Sequence, residues 1–98
     1  MSLPLIVRPD AAADIQTIRD TLNQAQAGLG DRFVARLSDL LQRIEAMPEM
    51  YGVVWQDVRA ARVRKFRYIV YYVVFADRAE VLAVLHGSQD ATAWQSRT

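Results

Sequence analysis

The chain has 98 residues and a mass of 11.1 kDa, room for one domain with one modest core. That is too little for a nucleotide-binding domain joined to a substrate domain, a TIM barrel or a kinase. Hydrophobic residues make up 52% and charged residues 23%, the balance of a globular protein rather than a disordered one. There is no cysteine and one histidine, which excludes disulfides, thiolate zinc, iron–sulfur clusters and a cysteine nucleophile. No metal or cofactor is expected.

The formal net charge is +1, but it is unevenly spread. Residues 1–50 carry five basic and seven acidic side chains, and residues 51–98 carry seven and four. Five of those seven cations, Arg59, Arg62, Arg64, Lys65 and Arg67, fall within nine residues. Arginine supplies 11 of the 12 basic side chains, and its planar fork suits phosphate or carboxylate. A GC-rich genome would account for arginine over lysine, but not for the clustering. The first seven residues lack the basic and apolar regions of a signal peptide. The longest apolar run, 68–76, is nine residues long, against about 20 for a bilayer span. A soluble cytoplasmic protein is expected.

In chain order, Leu3 to Arg8 reads as a short first strand, with Pro4 tolerable near its start. Pro9-Asp10 opens a helix, either with Asp10 as the cap or with Pro9 in the first turn. Ile15, Ile18 and Leu22 form its apolar stripe, and Ala27-Gly28 is expected to end it with a left-handed glycine. A second helix starts near Leu29-Gly30-Asp31. Its core stripe is Phe33, Val34, Leu37, Leu40, Leu41, Ile44 and Met47, and Pro48 stops it. The short linker predicts an antiparallel helical hairpin.

From Tyr51 onward the period changes. Val53 to Trp55 reads as a short strand or an extended loop. Ala61 to Phe66 reads as a strand with Arg62, Arg64 and Phe66 on one face. Tyr68 to Phe75, rich in β-branched and aromatic residues, is the clearest strand. Ala76-Asp77-Arg78 is a turn. Glu80 to His86, nearly all apolar, reads as a central strand buried on both faces. Ala91 to Ser96 closes the chain as a short helix. The expectation for residues 1–98 is a single α+β domain: a two-helix antiparallel hairpin packed on a mostly antiparallel sheet of three to four strands.

Nucleotide-binding, hydrolase and metalloprotease motifs are all missing from the sequence. The acids of the first half read as solvated helix faces. His86, at a strand end beside a glycine, is either a catalytic group poised near neutral pH or a structural histidine. The basic run reads as a surface for phosphate or for acidic protein side chains, or as a charged face that only keeps the protein soluble. Tyr68, Tyr71 and Tyr72 can stack on RNA bases, but sheet packing is the simpler role. Trp94 reads as the anchor of the last helix.

These features in order resemble the RelE/ParE toxins of bacterial toxin–antitoxin modules, the plasmid stabilisation proteins. The resemblance rests on Pro9 with Ala12-Ala13-Asp14-Ile15 and Ile18, then Gly30, Phe33, Leu37 and Pro48. It continues through Arg62, Phe66-Arg67-Tyr68-Ile69-Val70-Tyr71-Tyr72 and Val84-Leu85-His86 to Trp94 and Arg97. It lies nearer the ParE branch. It implies a growth-arresting toxin neutralised by a cognate antitoxin, alone as a homodimer or with the antitoxin as a heterotetramer. DNA gyrase, bound directly, is the implied target; Arg59, Arg62, Arg64, Lys65, Arg67 and Arg97 are the expected partner-binding residues, with the antitoxin's acidic side chains expected on the basic side. The alternatives are a ribosome-dependent mRNA endonuclease, with Arg64 and His86 as catalytic candidates, and a degenerate toxin fold that only binds a partner. Gly87-Ser88-Gln89 stands where relatives often carry basic residues, and no tyrosine follows Tyr72. Both departures weigh against mRNA cleavage.

Overall fold

The computed structural model describes residues 2–98. The elements are β1 (Leu5–Val7), α1 (Pro9–Ala25), α2 (Leu29–Ala46), β2 (Val53–Trp55), β3 (Val58–Arg62), β4 (Tyr68–Val74), β5 (Ala79–His86) and α3 (Thr92–Gln95). One sheet holds all five strands in the order β1-β5-β4-β3-β2, with β1 parallel to β5 and the other neighbours antiparallel. The expected α+β arrangement is present. The strand count is five instead of three to four, because Val53–Trp55 pairs with β3. No helix among the described residues is long and apolar enough to cross a membrane.

Pro9 begins α1, with Arg8 in the extended cap conformation before it. Of the two starting devices, proline at the first position is the one used. The helix ends at Ala25 with Gln26 extended, so Gly28 does not cap it as expected. Gly28, at φ 83°, is instead the cap position of α2. It turns the chain back so that the two helices run antiparallel. They pack tightly at Gly30, whose N–H donates to Asn23 Oδ1 at 2.7 Å. A Cβ on residue 30 would lie 2.2 Å from the Arg19 carbonyl oxygen, so only glycine fits. The stripes of both helices then meet the sheet: Ala11, Ile18, Phe33, Leu37, Leu40 and Ile44 are buried, but Met47, expected to end the second stripe, is 56% exposed, because the helix stops at Ala46 before Pro48 and residue 47 leaves its axis. Tyr72, fully buried below them, donates its hydroxyl to the Pro48 carbonyl at 2.7 Å.

β5 is an interior strand between β1 and β4, buried on both faces as its unbroken apolar run predicts; the middle position expected for it falls to β4, because Val53–Trp55 adds a strand beyond β3. A bulge sets which side chain goes where. Tyr71 faces Ala83 and Tyr72 faces Val81, leaving Leu82 without a partner on β4. Val81 and Val84 therefore point to the helices, while Leu82, Ala83 and Leu85 join the second apolar cluster. Trp94 of α3 covers that cluster, stacked on Tyr71 at 4.4 Å and edge-on to Trp55 at 5.8 Å.

The strand expected over Ala61–Phe66 is displaced. β3 spans Val58–Arg62, and the chain turns through 63–66 with Phe66 N–H bonded to the Val63 carbonyl at 3.1 Å. The alternation of basic and apolar residues imitates a strand, but the β3–β4 connection has to fall here. The turn also lets Val63 and Phe66 face the same core; an odd spacing in a strand would send them to opposite faces. Val63 is fully buried, and Phe66 meets the Phe33 ring edge-on at 5.4 Å.

Candidate functional site

The fold divides the candidate residues into three groups. At the sheet end where β3 leaves and β5 finishes, Arg62, Arg67, Ile69, His86, Gly87 and Ser88 line an open depression of about 530 Å³. Strand pairing builds it: Arg62 is opposite Ile69, Tyr68 is opposite His86, and Gly87 N–H bonds the Arg67 carbonyl at 2.7 Å. Arg62 Nε donates to the Phe66 carbonyl at 3.1 Å, stapling the turn. The His86 ring meets Tyr68 edge-on at 5.4 Å, and its Nδ1 lies 2.7 Å from Ser88 Oγ. The Ser88 N–H, which can only donate, also reaches Nδ1 at 3.1 Å. Nδ1 is therefore placed to accept from the Ser88 amide. The fold brings Arg62 and Arg67 to His86. Arg64 is not in this group.

Arg64 and Lys65 occupy the exposed tip of the turn. Lys65 has φ 68°, a left-handed conformation that glycine or asparagine ordinarily takes. Arg59 serves the fold: its guanidinium donates to the carbonyls of Glu49 at 3.2 Å and Tyr51 at 2.6 Å. Arg62, Arg64, Lys65 and Arg67, grouped at the 63–66 turn, have no carboxylate partner among the described residues, whereas Arg8, Arg19, Arg78 and Arg97 are all in ion pairs; Arg59 also lacks one but sits at the other end of β3. One end of the molecule thus carries uncompensated positive charge, suited to phosphate or to a partner's carboxylates.

Arg97 lies elsewhere. β5 outruns β1 at Val81, whose carbonyl takes the Arg8 N–H at 3.1 Å. Beyond that point the strand edge needs other partners. Arg97 Nη1 donates to the Leu82 carbonyl at 3.2 Å, and Asp14 Oδ2 accepts the Val84 N–H at 3.0 Å. The two side chains also join each other, Nη1 to Oδ2 at 2.6 Å and Nη2 to Oδ1 at 3.3 Å. Asp14 raises the Arg97 pKa above its usual value through this bond. Asp14, expected on a solvated face, is thus part of a clasp that only tertiary structure assembles, since its partner is 83 positions away.

Glu80, on the stretch of β5 paired with β1, accepts from Arg8 Nε at 2.8 Å and from Arg78 Nε, which hold its carboxyl below the usual range. Burial pushes both the Tyr71 and Tyr72 hydroxyls up. With Tyr71 and Tyr72 buried, neither is placed to stack on a base. Among the described residues no three His, Cys, Asp or Glu side chains are grouped to hold a metal ion.

No curated protein sequence matches the chain. Among solved structures, a chain of the chromosomal ParDE TA system from P. aeruginosa superposes with a TM-score of 0.66 at 13% identity. The match covers 87% of this chain and 96% of that one. The YoeB dimer from Staphylococcus aureus gives a TM-score of 0.58 at 14% identity, over 85% and 94% of the two chains. At these identities the likeness is one of fold. The model of the ParE toxin of the type II toxin–antitoxin system parDE matches residues 5–91, nearly the whole chain, and the protein belongs to that family.

Proposed function

We propose that this ParE-family toxin arrests growth by binding DNA gyrase directly through the cation-bearing end of its sheet, and that its cognate antitoxin neutralises it by covering charge on that end. The observation that carries the reading is the grouping of Arg62, Arg64, Lys65 and Arg67 around one tight turn, without a carboxylate partner among the described residues. Binding a protein target needs shape and charge at an interface, where losing one arginine anchor costs about 2 kcal/mol or more. It needs no proton transfer. The gyrase assignment itself comes from the family resemblance.

A second reading rests on the depression that joins Arg62, Arg67 and His86. Two cations to neutralise a phosphoryl transition state and an imidazole to move a proton are the parts of an RNA-cleaving site. The two readings separate on induction in cells at matched soluble expression. Gyrase binding predicts altered plasmid supercoiling, retention of growth arrest by His86→Ala and His86→Gln, and its loss in Arg64→Ala/Lys65→Ala. Endonuclease action predicts rapid mRNA decay and loss of arrest in both His86 variants, since removing a general acid or base costs about 10²–10⁴ in rate. The second pattern would replace the first reading with the endonuclease one.

A further inference from the structure

A second, smaller concavity lies where the start of α2 meets the 63–66 turn. It has a volume of about 300 Å³ and is lined by Leu29, Arg32, Arg36, Lys65 and Phe66. It is separate from the depression beside His86, with which it shares no lining residue. Its floor is apolar: Leu29 and the Phe66 ring are half-buried, and Phe66 is fixed edge-on to Phe33. Its rim is cationic. Arg32, Arg36 and Lys65 have no carboxylate partner among the described residues.

Two local preferences are broken to place those cations. Lys65 is in the left-handed region at φ 68°, where a glycine would relieve the strain. Arg32 and Arg36 are like charges at i and i+4 on one helix face, a mildly unfavourable pair. Broken local rules of this kind concentrate at functional sites. Here both involve cations on one rim, around one apolar floor.

The occupant can be narrowed. Asp39, three residues after Arg36 on the same stripe of α2, bounds the cationic stretch; Asp31, at its other end, is paired with Arg19 at 2.8 Å. A polyanion tracking along the helix would run onto Asp39. A short segment, with one or two carboxylates beside an apolar side chain, fits between these limits. We infer that this concavity is a docking cradle for a short acidic segment of a protein partner, an apolar side chain resting on Leu29 and Phe66 and its neighbouring carboxylates held by Arg32, Arg36 and Lys65. This rests on the reading of the chain as a protein-binding toxin and extends its contact surface from the turn onto α2, with Lys65 shared between the two.

The test is a titration of the ¹⁵N-labelled full chain followed by amide shifts, with a short peptide of alternating glutamate and leucine as probe. An oligothymidylate of the same length is the comparison. The peptide is expected to move the resonances of residues 29–36 and 64–66, and to bind more weakly at about 300 mM than at about 50 mM salt. Arg32→Ala/Arg36→Ala should weaken it about tenfold, and Lys65→Gly about fivefold. Lys65→Gly should leave the melting temperature unchanged or raise it by up to about 4 °C, relief of strain being partly offset by glycine's unfolded-state entropy. Shifts centred on Arg67 and His86, tighter binding of the oligothymidylate at this cradle, unchanged peptide affinity in Lys65→Gly, or a lowered melting temperature would each overturn the inference. Growth arrest is not the readout, so failure of the cradle and failure of the gyrase reading are separate results.

Discussion

Replacing Asp14 with alanine tests the clasp that closes the exposed edge of β5. The Asp14 side chain is 13% exposed and that of Arg97 23%. The carboxylate takes two guanidinium bonds, at 2.6 and 3.3 Å, and the Val84 amide at 3.0 Å. Its removal leaves Arg97 with the Leu82 carbonyl at 3.2 Å and a distant, exposed Asp10 at 3.9 Å. Breaking a buried pair from one side costs about 3–5 kcal/mol, and an amide stripped of its acceptor about 1–3 kcal/mol. The partial exposure of Arg97 and its remaining carbonyl partner place the sum near the low end, at about 3 kcal/mol. With a urea slope of about 1.5 kcal/mol/M for a small domain, the unfolding midpoint should fall by about 2 M. The melting temperature should fall by about 10–20 °C. Asp14→Asn keeps an acceptor for Val84 and should lose roughly half as much. Arg97→Ala should also destabilise, and the double variant should show a coupling energy of about 1 kcal/mol or more. Circular dichroism melts of the four proteins decide the matter. An Asp14→Ala loss under about 0.5 kcal/mol, the size of an ordinary surface change, would refute the clasp and return Arg97 to the partner-facing surface.

Gly30→Ala places a methyl 2.2 Å from the Arg19 carbonyl and 2.8 Å from the Asn23 side chain. Overpacking of about 1–3 kcal/mol should outweigh the gain of up to about 1 kcal/mol in helix propensity, and a urea midpoint above that of the parent would contradict the tight helix crossing. For Glu80, whose pKa is lowered from 4.5 first by Arg8 and then by Arg78, the stabilisation is fully present above 4.5 and is lost as pH falls through the lowered folded-state value. Glu80→Gln should therefore melt below the parent at pH 7 and converge with it in strong acid; a gap constant with pH would argue against the two guanidinium bonds.

The element order, the helical hairpin, the core stripe of α2 from Phe33 to Ile44 and the burial of β5 on both faces were all legible in the sequence. Each is written in local periodicity, and burial of one face is enough to express it. The surplus of cations in residues 59–67 was equally plain. What those cations do was not. Whether an alternating stretch such as 61–66 runs on as a strand or folds into a turn depends on where β4 must begin pairing, and that is set by the partner strand. The bulge at Leu82 sends two neighbours to one face, and no period predicts an insertion. Arg97 could not be told from the turn arginines by its chemistry. It belongs to the fold because the end of β1 leaves the Leu82 carbonyl and the Val84 amide to be satisfied by side chains from α1 and the C-terminus. Likewise Arg32 and Arg36 read only as polar positions on a helix until the 63–66 turn set Lys65 and Phe66 beside them. Local pattern fixes which face of an element is buried, but the partners of a charge are chosen by long-range packing, which brings together residues that share no window of sequence.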